Sequence, residues 1–185
     1  MVMLAVLLAV LAGFLFVSVA FIYNTLIQLR FRVKNAWAQI DVQLKRRHDL
    51  IPNLVEVAKG YMKFEKETLE NVIKARTQAA QASGIKDKQE AENFLTQTLK
   101  SLFAVVERYP DLKANQNMLK LQEELTTTEN KIAFSRQFYN DEATLYNTAI
   151  HTFPTNTIAP MFNFRDELLF ELSDMAEKEP PKVTF

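Results

Sequence analysis

The first charged side chain in this sequence is Arg30. Everything before it is uncharged, and Met1 to Tyr23 is a nearly unbroken apolar run. A helix of about 20 apolar residues crosses the roughly 30 Å hydrocarbon core of a bilayer. Residues 1–23 therefore read as a transmembrane helix. The rival reading is a cleaved signal peptide, for which Ser18-Val19-Ala20 offers small residues at a suitable spacing. A signal peptide would carry a basic segment before the apolar run, and none is present. The run also continues past that position through Phe21, Ile22 and Tyr23, which favours an anchor.

The flanks of the run predict its orientation. Arg30, Arg32 and Lys34 follow it and nothing positive precedes it, so the positive-inside rule leaves the N-terminus outside and the body in the cytoplasm. Ala5, Ala9 and Gly13 repeat every fourth residue and lie on one stripe, where a second transmembrane helix can approach closely. Self-association through that stripe is an expectation of the sequence.

The remainder predicts an all-α fold. Only three glycines occur, which leaves little material for hairpin turns or phosphate-cradling loops. Apolar residues Leu26, Leu29, Val33, Ala36, Ile40, Leu44, Ile51, Leu54 and Ala58 step by three, four and seven, as on one face of a long helix. No glycine lies between Tyr23 and Gly60, so the transmembrane helix is expected to continue into this one, kinked at Pro52 and stopping near Gly60. Shorter helices are expected from about Phe64 to Ala82 and from Gln89 to Arg108, joined by a polar connection over Ile85 to Lys88. A last long helix starts near Pro110 and runs to about Ile150, with Met118, Leu125, Ile132, Tyr139 and Tyr146 at heptad spacing. The expected architecture is one N-terminal transmembrane helix continuing into an antiparallel bundle of two long and two short helices. The segments are residues 1–23 as the span, 24–150 as a cytoplasmic bundle and 151–185 as an aromatic-rich tail. Because the short helices cover only half of the long pair, residues 26–40 and 136–150 need another partner. The tail, with Phe153, Phe162, Phe164 and Phe170, either folds back onto those faces or docks on another chain or on lipid; beyond Asp174 it reads as extended and poorly structured.

Chemistry is sparse. There are no cysteines, and lysine plus arginine balances aspartate plus glutamate at 22 each, so neither thiol chemistry nor bulk attraction to nucleic acid is expected. His48 and His151 lack metal-ligand companions and read as surface or satisfied polar residues. No nucleophile elbow or nucleotide loop is present, so no catalytic, cofactor or metal site and no small-molecule substrate is expected. One polar residue stands out, because Arg47 falls on the apolar stripe of the first helix and must be paired or reach out to water. Counting along two antiparallel helices places it near Glu123 or Glu124, and Asp41 near Lys131, which predicts a register-setting salt bridge.

The blocks Asn35-Ala-Trp37-Ala-Gln-Ile-Asp41-Val-Gln-Leu-Lys-Arg-Arg47, Asp49-Leu-Ile-Pro52-Asn53-Leu54, Tyr109-Pro110-Asp111-Leu112-Lys113 and Thr128-Glu129-Asn130-Lys131-Ile132-Ala133 resemble the LemA family of bacterial membrane proteins. Thr152-Phe153-Pro154 and Lys182-Val183-Thr184-Phe185 extend the resemblance over nearly the whole chain. It implies a single-pass protein of the bacterial inner membrane with a helical cytoplasmic domain and no catalytic residues. It also implies a scaffold or adaptor role, with a membrane metalloprotease of the HtpX type as an alternative partner. Residues 157–179 depart from the family's pattern, and Phe164 to Phe170 reads as a short amphipathic helix. The sequence thus leads to a noncatalytic membrane scaffold that self-associates, or else an accessory subunit of a membrane enzyme.

Overall fold

The structure, a computed structural model, describes residues 1–170 of the chain; the closing acidic stretch and the Lys182–Phe185 block lie outside the described residues. All regular structure among the described residues is helical. Helix α1 runs from Val2 to Lys59, α2 from Lys66 to Gln81, α3 from Ile85 to Val106, α4 from Pro110 to Lys113, α5 from Gln116 to His151 and α6 from Thr155 to Ile158; a 3-10 turn spans Ala159–Phe162. The 58 and 36 residues of α1 and α5 against the 16 and 22 of α2 and α3 reproduce the expected two long and two short helices.

Two local details depart from the sequence reading, each for a physical reason. Ile85 to Lys88 is the first turn of α3 and not a polar connection. Gly84, the residue before α3, has a φ of 84°, a conformation that glycine adopts without steric cost. The last long helix does not run unbroken from Pro110. Pro110 opens the separate turn α4, where a missing amide proton costs nothing, and Asn115 then caps α5, its side-chain oxygen accepting from the Asn117 and Met118 amides at 2.9 and 3.2 Å. As expected, Pro52 lies inside the continuous helix α1. Proline has no N–H for the carbonyl four residues earlier, which is that of His48, and Arg76 of α2 supplies the missing donor, its Nε lying 3.1 Å from the His48 oxygen.

Two compact units divide the chain, and α1 and α5 contribute to both. The first comprises Met1–Ile40 and Phe134–Leu169. Its core joins Leu26, Val33, Ala36 and Ile40 of α1 to Tyr139, Ala143, Tyr146 and Ile150 of α5, with Ala159 and Phe164 from the segment after α5. The second comprises Asp41–Ala133 and begins again at Phe170. Its core is a continuous cluster of Ile51, Leu54 and Ala58 on α1, Leu69, Val72, Ala75 and Ala79 on α2, Leu95, Leu99, Leu102 and Val106 on α3, and Leu112, Met118 and Leu125. Burying each large aliphatic side chain of this set favours folding by about 1.5–3 kcal/mol. The three- and four-residue steps on all these helices are what make such faces possible.

Candidate functional site

The N-terminal part of α1 holds an 18-residue window of mean hydropathy 2.9, none of it buried. An apolar helix of that length with no protein around it has the composition to cross a membrane. Ala5, Ala9 and Gly13 are exposed on it, and a methyl group added at Gly13 would meet nothing within 4 Å. Arg30, Arg32 and Lys34 are exposed on α1 beyond the apolar window, and Lys34 Nζ lies 5.6 Å from the centre of the Phe31 ring.

In the first unit the segment after α5 returns along the helices. Phe164 is buried, its ring centre 5.7 Å from that of Tyr23, while Phe162 approaches Tyr23 at 5.0 Å. Residues 164–169 are not helical, contrary to the expected amphipathic helix, because their main chain is engaged by side chains of α5. Asn147 donates through Nδ2 to the Glu167 carbonyl and accepts from the Glu167 amide, both at 2.9 Å. The Tyr139 hydroxyl donates to the Leu168 carbonyl at 2.6 Å. These bonds replace the intrahelical ones that residues 164–169 would otherwise need. Of the four expected docking aromatics, Phe164 and Phe170 are buried within the chain, whereas Phe153 and Phe162 are exposed.

Tyr139 also carries a pH signature. Burial first, and the Glu167 carboxylate second, push its phenol from 10.0 up to about 12. Between those values the unfolded chain releases the proton and the native state keeps it. The native state then binds more protons, so stability is fully present below pH 10 and falls as pH rises toward 12. Tyr139→Phe is expected to cost about 0.5–1.5 kcal/mol at neutral pH through the lost hydrogen bond. It should also flatten the alkaline loss of stability relative to the parent, as measured by urea unfolding across that pH range. An identical alkaline slope in the two proteins would contradict the assignment.

The second unit contains the polar cluster that the sequence anticipated in part. Arg47 is 2% exposed. Its Nη1 donates to Glu129 Oε2 at 2.5 Å, and its Nη2 donates to the Glu92 carbonyl at 3.1 Å and to Thr96 Oγ1 at 2.9 Å. Nη2 also lies 3.2 Å from Glu92 Oε2. His48, likewise buried, places Nε2 2.7 Å from the other oxygen of the same carboxylate. The arginine is thus paired across α1, α3 and α5, but by Glu92 and Glu129 and not by Glu123 or Glu124. Asp41 similarly pairs with Lys88 of α3 at 2.5 Å, and not with Lys131. The α4 turn and the Asn115 cap shift the start of α5, so a count that treats residues 110–150 as one helix misplaces its register. Glu92 was missed although it precedes Leu95, Leu99 and Leu102 at core spacing. His48 is a satisfied polar residue, and His151 pairs with Asp166 at 2.9 Å in an exposed position.

A carboxylate held between an arginine and a histidine resembles catalytic furniture; here Oε1 meets His48 and the buried Oε2 has the Arg47 charge 3.2 Å away without a hydrogen bond. Among the described residues no group of three or more metal-ligating side chains converges. A cleft of about 610 Å³ lies between the end of α1 and α2. It has an apolar floor of Val55, Met62, Leu69 and Ile73 and a charged rim of Lys59, Lys63, Lys66 and Lys74 with Glu70 among them, Lys66 lying 3.5 Å from the Glu70 carboxylate.

The LemA family profile matches residues 36–185. Protein LemA of Metamycoplasma hominis is 28% identical over 153 residues, covering 82% of this chain and 70% of its own. Magnetosome proteins MamQ 1 and MamQ 2 of Paramagnetospirillum magneticum are each 23% identical over 175 residues, covering 80% of this chain. The match takes in 64% of the length of each magnetosome protein. The anchor-like helix, the all-helical units and the profile match together place this chain in the LemA family.

Proposed function

We propose that this protein is a noncatalytic, single-pass membrane scaffold or adaptor that associates with copies of itself. In this reading it resides in the bacterial inner membrane, its N-terminus outside and its helical units in the cytoplasm. The observation that carries the reading is the single unbroken helix Val2–Lys59. One end of it is an apolar window with no buried residue, and farther along it supplies packed faces to both helical units. A helix built this way couples whatever happens in the bilayer to a folded domain without an intervening flexible linker. The LemA family is not known as an enzyme family. Self-association is supported by the open stripe at Ala5, Ala9 and Gly13, since small side chains let helix backbones approach in lipid. Orientation is supported by the exposed Arg30, Arg32 and Lys34 after the apolar window.

The apolar cleft with its mostly basic rim favours a second reading, an accessory subunit of a membrane enzyme such as a metalloprotease of the HtpX type. One experiment separates the two. Light scattering on the full chain in mild detergent, with the detergent contribution subtracted, is expected to give a discrete multimer that Gly13→Leu converts to smaller species. A wild-type monomer would refute self-association and leave the accessory reading, with a different protein as partner.

A further inference from the structure

The segment between α5 and the Asn147-bound strap contains no charged or titratable side chain from Thr152 to Phe164. Its sequence, Thr-Phe-Pro-Thr-Asn-Thr-Ile-Ala-Pro-Met-Phe-Asn-Phe, is half apolar, and its large apolar side chains are not all turned inward. Phe153 and Met161 are each 78% exposed and Phe162 is 45% exposed, whereas Ala159 and Phe164 are buried. The exposed set is held in place by the buried one. Asn163 adopts a left-handed φ of 58°, which asparagine tolerates better than most residues. Its amide and that of Phe164 close the turn onto the Pro160 and Ala159 carbonyls, both at 3.1 Å. Polar groups gather at the base of the loop, where His151 meets Asp166 at 2.9 Å and Arg165 donates to the Asn163 side chain at 3.0 Å.

The location of this loop says what covers it. Phe162 and Phe164 pack on Tyr23, the residue at which the apolar run of α1 ends. From Met1 to Leu29 the helix is free of charged side chains over about 43 Å, against a hydrocarbon core of roughly 30 Å. The turns around Tyr23 therefore fall in the headgroup zone, where tyrosine and other aromatic residues concentrate. A loop fastened to Tyr23 shares that depth.

We propose that residues 152–164 are a second, monotopic membrane contact, in which Phe153, Met161 and Phe162 enter the interfacial zone of the leaflet from which α1 emerges. Amphipathic helices that lie in the interface bury their apolar face about 5–10 Å into that zone, the depth available to the exposed aromatic and aliphatic side chains of this loop. Two attachments, the span and the loop, would fix the rotation of α1 about its axis and hold the first unit against the bilayer. A span alone leaves that rotation free. The proposal rests on the reading of residues 1–23 as a membrane span.

The absence of cysteine allows a direct test with single nitroxide labels on the full chain in phosphatidylcholine–phosphatidylglycerol vesicles. Labels at Phe153→Cys and Met161→Cys are compared with Phe14→Cys in the span and Phe134→Cys on α5. Phe134 is 73% exposed and lies about 25 Å along α5 from its C-terminal end. Collisions with oxygen, which partitions into lipid, are measured against collisions with a water-soluble nickel chelate. The expected ratio at 153 and 161 is several-fold above that at 134 and below that at 14. A ratio at 153 and 161 equal to that at 134, with 14 still lipid-exposed, would overturn the loop contact while leaving the span. Shielding from both reagents would mean that protein covers the loop, and would overturn it too. Water exposure at 14 would remove the span and the proposal with it.

Discussion

Arg47→Met in the full chain in mild detergent is expected to lose about 3–5 kcal/mol of unfolding free energy, because it strips the counter-charge from a buried carboxylate. Glu92 has a side chain only 7% exposed. Without the guanidinium its Oε2 keeps no charge partner, and the Glu92 carbonyl and Thr96 hydroxyl lose a donor. Arg47→Lys should recover only part of the loss, since an ammonium cannot reproduce the fork that reaches Glu129, Thr96 and Glu92 at once. The two glutamates should differ. Glu129 is 48% exposed, so its coupling to Arg47 in a double-mutant cycle should fall toward the surface range of about 0.2–1 kcal/mol. The coupling to Glu92 should be the larger. Replacing Arg47 and Glu92 together by apolar residues of similar volume should restore most of the stability, since two well-packed hydrophobes often equal a buried ion pair. A loss below about 1 kcal/mol for Arg47→Met would place the site among surface pairs.

Leu102→Ala is expected to cost a further class of energy, about 2–5 kcal/mol, through the cavity it leaves. Leu102 is fully buried in the core formed by α1, α2, α3 and α5. On α3 it belongs to the one face, with Leu95, Leu99 and Val106, that this helix commits to packing. Both short helices of the second unit depend on such a face, because helices of 16 and 22 residues hold little stability of their own and are maintained by tertiary burial. Leu119→Ala is the internal control. That side chain is 49% exposed, and its truncation should change stability by less than about 1 kcal/mol. Urea denaturation followed by helical circular dichroism checks both variants. Equal losses at the two positions would mean that α3 is not packed as described.

The periodic features were legible because they repeat. The apolar window of α1, the steps from Leu26 to Ala58 and the heptads from Met118 to Tyr146 each carry many concordant residues, so a misread position does not alter the helix they define. Gly60 and Ser83-Gly84 marked helix ends for the same local reason. The polar cluster was legible only in part. Arg47 announced itself as a charge on an apolar stripe, but its partners lie 45 and 82 residues away. Finding them requires the register between helices, which two short interruptions at α4 and Asn115 reset. The role of Arg76 was not readable at all. Pro52 declares an orphaned carbonyl at His48, and nothing local says which side chain from another helix will reach it.

The segment after α5 shows the same division most plainly. Its composition determined that aromatic side chains would be present and uncharged over Thr152 to Phe164. Tertiary structure alone decided that Phe164 turns in while Phe153 turns out, and that residues 164–169 are strapped to Asn147 and Tyr139 and not coiled into a helix. What the sequence by itself determined about this protein is therefore the two long and two short helices and the span-like character of the first, because hydrophobic period and charge are local properties. What only the tertiary structure decided is which charge meets which and which aromatic stays exposed. Those outcomes depend on distances between residues that chain order does not specify.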